Sequence, residues 1–203
     1  FTFGLYKPDS ITVLQTTNPD TINYFYNWVG FQAQNAEQAF IGGAEFSFNS
    51  MGKIGEVDLT TLLGYTYMYP ISLNKDSIYK LSFSDPSTNM LKYRFNHMAK
   101  ADIQATYKAF SIGISSRYNS YMKNIDRVFE DGVLGEELLV GMANYRSVFN
   151  KGVAVFDARF GYQINEAFKV NFIANNLFNK EYVSRPGDVQ APRNFILQMQ
   201  LAL

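Results

Sequence analysis

Cysteine is absent from this sequence, and histidine occurs once, at His97. The first absence excludes a disulfide framework, a thiolate metal site and a catalytic thiol. The second argues against a histidine-based triad or a zinc site. No charge of one sign prevails: Lys plus Arg and Asp plus Glu both number 18, so the net charge is zero. A chain-wide basic surface for nucleic acid is thereby excluded. No glycine string has phosphate-loop spacing, and no nucleophile–base pair is readable. The expectation is therefore no catalytic residue, no cofactor, no resident metal and no enzyme activity. Long hydrophobic runs are missing too, and nothing approaches the ~18 consecutive apolar residues of a transmembrane helix. That test is blind to membrane strands, whose alternation averages out. The chain opens on Phe1-Thr2-Phe3, with no initiator Met, basic n-region or apolar h-region. The expectation is a removed export signal, or a piece of something longer.

What the sequence does have is alternation. From Val57 to Tyr69 the odd positions read Val57, Leu59, Thr61, Leu63, Tyr65, Tyr67 and Tyr69, with Asp58 and Thr60 opening the even set. From Tyr93 to Tyr107 one face holds Tyr93, Phe95, His97, Ala99, Ala101, Ile103, Ala105 and Tyr107. The other holds Arg94, Asn96, Met98, Lys100, Asp102, Gln104 and Thr106. Residues 40–48, 110–118, 154–162, 168–174 and 195–203 behave alike. The apolar face carries no charge anywhere. The opposite face carries Glu45, Asp58, Arg94, Lys100, Asp102, Arg117, Asp157, Arg159 and Lys169. A period of two means strands.

Two features separate a membrane barrel from a soluble sandwich. Connections alternate strictly in length: 49–56, 108–109 and 163–167 are short, whereas 70–92, 119–153 and 175–194 are long. Outer-membrane barrels pair tight turns with long external loops in this way. Aromatics also gather at both ends of the strands. Tyr65, Tyr67, Tyr69, Tyr93, Phe95 and Tyr118 lie toward the long loops, and Phe46, Phe48, Tyr107, Phe110, Tyr162 and Phe168 toward the short turns. Leu59, Leu63, Ala99, Ala101, Ile103, Ile112, Ile114, Ala158 and Val170 lie between. Two aromatic belts around an aliphatic band are the mark of a strand crossing a bilayer. The fold class read from the residues is all-β, an antiparallel transmembrane β-barrel of about eight strands, near 1–14, 36–49, 54–69, 91–108, 109–121, 151–163, 167–177 and 192–203. Phe40, Leu59, Ile103, Ile114, Phe156, Val170 and Leu197 are expected to face lipid.

The polar residues suggest few sites. Arg94, Lys100, Asp102, Arg117, Asp157 and Arg159 are expected to face the lumen, as a salt-bridge network or as contacts for something inside it. Tyr24, Tyr26 and Trp28, with Phe25, form an aromatic cluster in the 15–35 loop that suits either ligand contact or loop packing. Asn124, Asp126, Glu130 and Asp131 have oxygen ligands for calcium but no EF-hand spacing. Glu136-Glu137 reads as a solvated helix face within a short helix near 130–140.

Residues 168–182 contain Asn175-Asn176-Leu177-Phe178-Asn179-Lys180-Glu181-Tyr182, which resembles the "N-L-F-[ND]-K-x-Y" signature of the penultimate strand of TonB-dependent outer-membrane receptors. Pro186-Gly187, then Pro192-Arg193-Asn194-Phe195 and the alternation up to Leu203, resembles that family's last loop and strand. Gly43-Ala44-Glu45 and Leu91 to His97 add weaker matches in the same order. The resemblance implies a single barrel segment, 1–203, from the C-terminal part of a barrel of about 22 strands. Asn176, Leu177, Phe178, Asn179, Tyr182, Pro192 and Arg193 would then be structural motif residues. It further implies uptake of a siderophore, glycan, peptide or similar nutrient across the outer membrane of a Gram-negative bacterium. The implied partners are membrane lipid, the rest of the barrel, a plug domain, the TonB system and a surface lipoprotein, with no nucleic acid. Two departures accompany it: the family usually ends in Phe or Trp where this chain has Leu203, and no plug or TonB-box is visible. A self-contained eight-strand anchor or adhesin stands as the alternative; it requires residues 1–6 to pair with 195–203. An outer-membrane hydrolase would need a nucleophile and base that the lone His97 does not supply.

Overall fold

The computed structural model describes residues 2–5, 29–32, 38–132 and 136–202. Its centre is a seven-stranded antiparallel sheet in which each strand pairs with its neighbours in sequence. The strands are β3 (Ala39–Ile54), β4 (Val57–Ser72), β5 (His97–Tyr107), β6 (Phe110–Asn119), β7 (Val153–Gln163), β8 (Phe168–Asn175) and β9 (Asn194–Leu201). Two short strands precede it, β1 (Thr2–Leu5) and β2 (Val29–Gln32), which pair with each other as a separate two-stranded sheet. The expected first strand near 1–14 therefore does not join the sheet through its described residues, and the count in the sheet is seven rather than eight. Residues 2–5 meet 29–32, not 195–203, so the sheet is open: β3 and β9 are each paired on one side only among the described residues.

The register places the alternating residues as their period demands. Phe46 lies opposite Tyr65, Tyr65 opposite Ala99 and Ala99 opposite Tyr118. Ile103 lies between Thr61 and Ile114, and Ile114 faces Ala158. Phe172 lies between Phe160 and Leu197. Successive side chains point to opposite faces. Hence Phe40, Leu59, Ile103, Ile114, Phe156, Val170 and Leu197 share one face, and Glu45, Asp102, Arg117, Asp157 and Lys169 share the other. On the apolar face Phe46 is 60% exposed and Leu197 is 61% exposed. No second layer covers that face among the described residues, as a soluble sandwich would require.

The short connections fall at one end of the sheet and the long ones at the other, as antiparallel neighbours dictate. One expectation is corrected here. The expected strands 36–49 and 54–69 leave the first turn at 50–53, but β3 continues to Ile54, and the chain reverses at Gly55-Glu56, where Gly55 takes φ +61°. Gly52 sits in the ladder opposite Leu59. A two-residue hairpin needs its positive φ at a central position, and Gly55 supplies it. The third turn, at 164–167, is closed by Asn165, whose side-chain oxygen accepts from the N–H groups of Ala167 and Phe168 at 3.0 and 2.9 Å.

Most of the buried apolar core lies outside the sheet, which contributes Val155 of β7 and Ala174 of β8. Phe83, Met90, Met122, Ile125 and Met142 are buried, and all lie in the long loops. Three short helices accompany them: α1 (Ser77–Leu81), α2 (Val128–Asp131) and α3 (Met142–Val148). The helix expected near 130–140 is thus displaced to either side. Glu136 and Glu137 belong to neither helix, and the Glu137 carboxylate accepts from the Gly141 N–H just ahead of α3.

Candidate functional site

The polar face of the sheet is organised around Asp102. Both of its oxygens receive the Arg159 guanidinium, from Nη1 at 2.8 Å and from Nη2 at 2.9 Å, across two strands. Ser115, on the strand between, bridges the two: it donates to Asp102 and accepts from Arg159 Nη1 at 2.7 Å. The guanidinium reaches across because Gly113 lies opposite Arg159 in register; a Cβ there would meet Nη2 at 2.8 Å. Arg117 pairs with Asp157 at 3.3 Å. Asp157 also accepts the Asn176 N–H at 2.7 Å, which ties the face to the last long loop. Lys100 lies on this face between Gly64 and Arg117. Of the expected set, Arg94 is the exception. The chain enters β5 only at His97, because Tyr93 turns back with φ +61°. Arg94 therefore sits in the preceding turn, with Nη1 on its neighbour's carbonyl.

The motif residues have concrete work. Asn176 is buried with φ +50°. Its amide donates to the Lys180 and Ala191 carbonyls at 2.8 and 3.3 Å, and its oxygen accepts the Lys180 N–H at 2.7 Å. Asn179, also at positive φ, accepts the Arg193 N–H at 2.9 Å. Arg193 reaches the Leu177 carbonyl and lies over the Phe195 ring. Phe178 packs edge-on against Phe156, and Pro192 precedes the last strand. Asparagine tolerates the left-handed region and supplies both donor and acceptor. Asn176→Ala loses both, and is expected to destabilise the 176–193 loop by about 2–4 kcal/mol. Hydrogen exchange at Leu177 to Lys180 would measure it, and unchanged protection would contradict the assignment.

The loop layer was the part least visible in sequence. Asn124 and Asp126 are hubs of the loop layer. Asn124 donates to Thr88 and to the Met90 carbonyl, both at 2.9 Å, and accepts the Asp85 N–H at 2.7 Å. Asp126 receives Lys92 and the Tyr93 hydroxyl, while Glu130 pairs with Arg146 and Asp131 with Arg127. Every carboxylate of the supposed calcium set is thus occupied by a cation. No group of His, Asp or Glu among the described residues has a metal-holding arrangement. Arg146 also donates to the Met122 and Lys123 carbonyls and stacks on Tyr121.

Burial raises the Tyr93, Tyr121 and Tyr145 hydroxyls above their ordinary value. The folded layer therefore holds their protons while unfolded chain would release them near pH ~10. Their stabilising contribution is full below that pH and falls as pH rises above it. Lys92 acts oppositely: burial lowers its ammonium in spite of Asp126, so stability rises with pH between the lowered value and 10.5. Three tyrosines against one lysine leave a net loss in alkali. Tyrosinate absorbance is expected to lag that of free tyrosine and then appear cooperatively, together with loss of exchange protection in residues 82–93. Titration coincident with free tyrosine would contradict this.

Between the loop layer and the polar face lies a cavity of about 200 Å³. Tyr121, Tyr145, Phe149 and Tyr182 are among its walls, and Arg117, Arg146 and Arg185 reach it, with no carboxylate in the lining. Tyr182 was expected only as a motif anchor, and Tyr121, Tyr145 and Arg185 carried no sequence signal. The loops bring together residues far apart in the chain. Tyr24, Tyr26 and Trp28 lie outside the described residues.

An open, one-sided sheet with long loops and a packed loop layer at one end defines a piece of transmembrane barrel wall. The family model described as TonB dependent receptor-like, beta-barrel, matches residues 3–177. The chain belongs to the TonB-dependent receptor family, through its β-barrel. Among solved structures it resembles the ferric-catecholate import receptor Fiu of E. coli K12 in its closed form, with 22% identity and a TM-score of 0.57 over 80% of this chain and 21% of that one. The siderophore receptor PiuA of Acinetobacter baumannii gives 13% identity and a TM-score of 0.56 over 80% of this chain and 22% of that one. FpvA of P. aeruginosa, bound to heterologous pyoverdines, gives 14% and 0.53 over 80% and 19%. The chain thus spans between 19% and 22% of the length of these receptors. No curated protein matches it in sequence.

Proposed function

We propose that this chain is the C-terminal wall of a TonB-dependent active transporter in the outer membrane of a Gram-negative bacterium. Its apolar face meets lipid, its charged face meets the lumen and a plug domain, and its long loops lie outside the cell. The TonB system drives uptake, and the strands that complete the barrel pair with the edges of β3 and β9. Open edges in hydrocarbon leave N–H and C=O groups unsatisfied, at several kcal/mol each. The same consideration disfavours the self-contained anchor, since among the described residues, 2–5 pair with 29–32 and not with 195–202.

One observation carries the substrate reading. The cavity at the loop end has aromatic walls and no carboxylate in its lining, and of the three arginines that reach it Arg117 and Arg146 are already paired, with Asp157 and Glu130. Arg185 makes no ion pair among the described residues. Of siderophore, glycan and peptide, this chemistry best fits an aromatic, anionic siderophore, held by ring stacking and guanidinium contacts. A surface lipoprotein, typical of the glycan-uptake relatives, is not required. In cells depleted of iron and carrying the full-length receptor, uptake of labelled ferric catecholate is expected to depend on TonB. Arg185→Ala is expected to weaken binding by about tenfold. Uptake that persists without TonB would overturn the transporter reading. TonB-dependent uptake of a neutral glycan, but of no catecholate, would overturn the substrate class alone.

A further inference from the structure

A second concavity, of about 370 Å³, opens at the loop end of the apolar face. Its walls include Tyr67, Tyr69 and His97, which the register puts on the outward side, and Lys123, Asn150 and Lys151 from the long loop above. No carboxylate lines it, and neither lysine is in an ion pair among the described residues. The Tyr65 hydroxyl lies 2.8 Å from His97 Nδ1, and the Tyr67 ring packs on the imidazole, which fixes His97 at the mouth. Below it the outward side of β5 carries small residues. Ala99 lies between the rings of Tyr65 and Tyr118, and Ala101 between Leu63 and the small Ser116, so on the external half of β5 small residues lie beside larger ones, with rings on both sides at Ala99.

We propose that this groove binds the phosphate of an anionic lipid in the outer leaflet, with Lys123 and Lys151 on the phosphate and an acyl chain along Ala99 and Ala101. The inference rests on the outward face meeting lipid, as argued under the function above. A free phosphate would satisfy the lysines but leave Ala99 and Ala101 unused. Ala99 and Ala101 follow His97 at the mouth by two and four residues along the outward side of β5, toward the aliphatic band, which selects the lipid. Two lysines at the headgroup level contribute enough to be read in a binding measurement.

The test uses full-length receptor purified from membranes in a neutral detergent, with lipid retention read by native mass spectrometry. Dioleoyl phosphatidylglycerol and dioleoyl phosphatidylcholine are the probes, and inorganic phosphate is the competitor. The parent is expected to retain phosphatidylglycerol preferentially. The double variant Lys123→Gln/Lys151→Gln should lose that preference, by roughly thirtyfold. Ala101→Phe should lower retention of phosphatidylglycerol while leaving both lysines in place. Millimolar phosphate should not displace the lipid. Equal retention of both lipids by parent and variant would overturn the phosphate site while leaving the lipid-facing wall intact. Retention of neither lipid by the parent would overturn both. Displacement by phosphate, or indifference to Ala101→Phe, would overturn the lipid as occupant.

Discussion

Replacing Ile103 by Arg is expected to cost about 2–4 kcal/mol of folded-barrel stability. Ile103 is near the middle of β5, on the uncharged face, between Thr61 and Ile114. An Arg there is too far from either interface to bring its charge to water through its stem. Gln104, one residue on, points to the opposite face between Thr60 and Gly113. Arg at position 104 is expected to cost little, because that side is polar. The contrast between adjacent positions is the informative result, since a one-residue slip would invert it. Heat-modifiable mobility and unfolding in lipid vesicles would read both. Equal effects at the two positions would refute the assignment of faces.

Asp126→Ala is expected to open the loop layer, at a cost of about 3–5 kcal/mol. Lys92 and Asp126 are both almost wholly buried, so removing the carboxylate leaves an ammonium without its counterion. The Ser82 hydroxyl and the Phe83 ring remain near Lys92 but cannot neutralise it. Tyr93 also loses the acceptor that holds its hydroxyl, and with it the reason for its unusual backbone turn. Protease sensitivity and faster exchange are expected in residues 82–93 and 124–131, while the sheet stays protected. The double variant Lys92→Met/Asp126→Leu is expected to recover much of the loss, because two apolar side chains leave no charge buried. A single variant as protected as the parent would show that the pair does not hold these loops.

The sheet was legible because alternation is a local property. One face in lipid and one in a polar lumen impose the same two-residue period on every strand, so each strand announces its own faces. The aromatic belts and the alternation of short and long links gave the direction, and the Asn-Leu-Phe-Asn motif pointed to the family. Where local signals conflicted, reading was poorer. The first turn, expected at 50–53, falls instead at Gly55-Glu56, and the alternation of Tyr93 and Phe95 carried β5 past its true start at His97. The Tyr93 turn is stabilised by Asp126, which is remote in sequence. The cavity was illegible for the same reason: Arg117 on β6, Tyr145 on α3 and Arg185 in the last loop meet only once the loops have folded onto the sheet.

The sequence by itself determined that the protein is a two-faced antiparallel wall, with its charges on one side and rings at both ends, because pleat and solvent contrast act residue by residue. Only the tertiary structure decided that residues 2–5 pair with 29–32 rather than closing the sheet. It alone decided too that the acidic loop residues neutralise buried lysine and arginine, and where the two concavities lie. These features depend on contacts between distant segments. Their stability comes from burying charge and ring together, which no periodicity along the chain records.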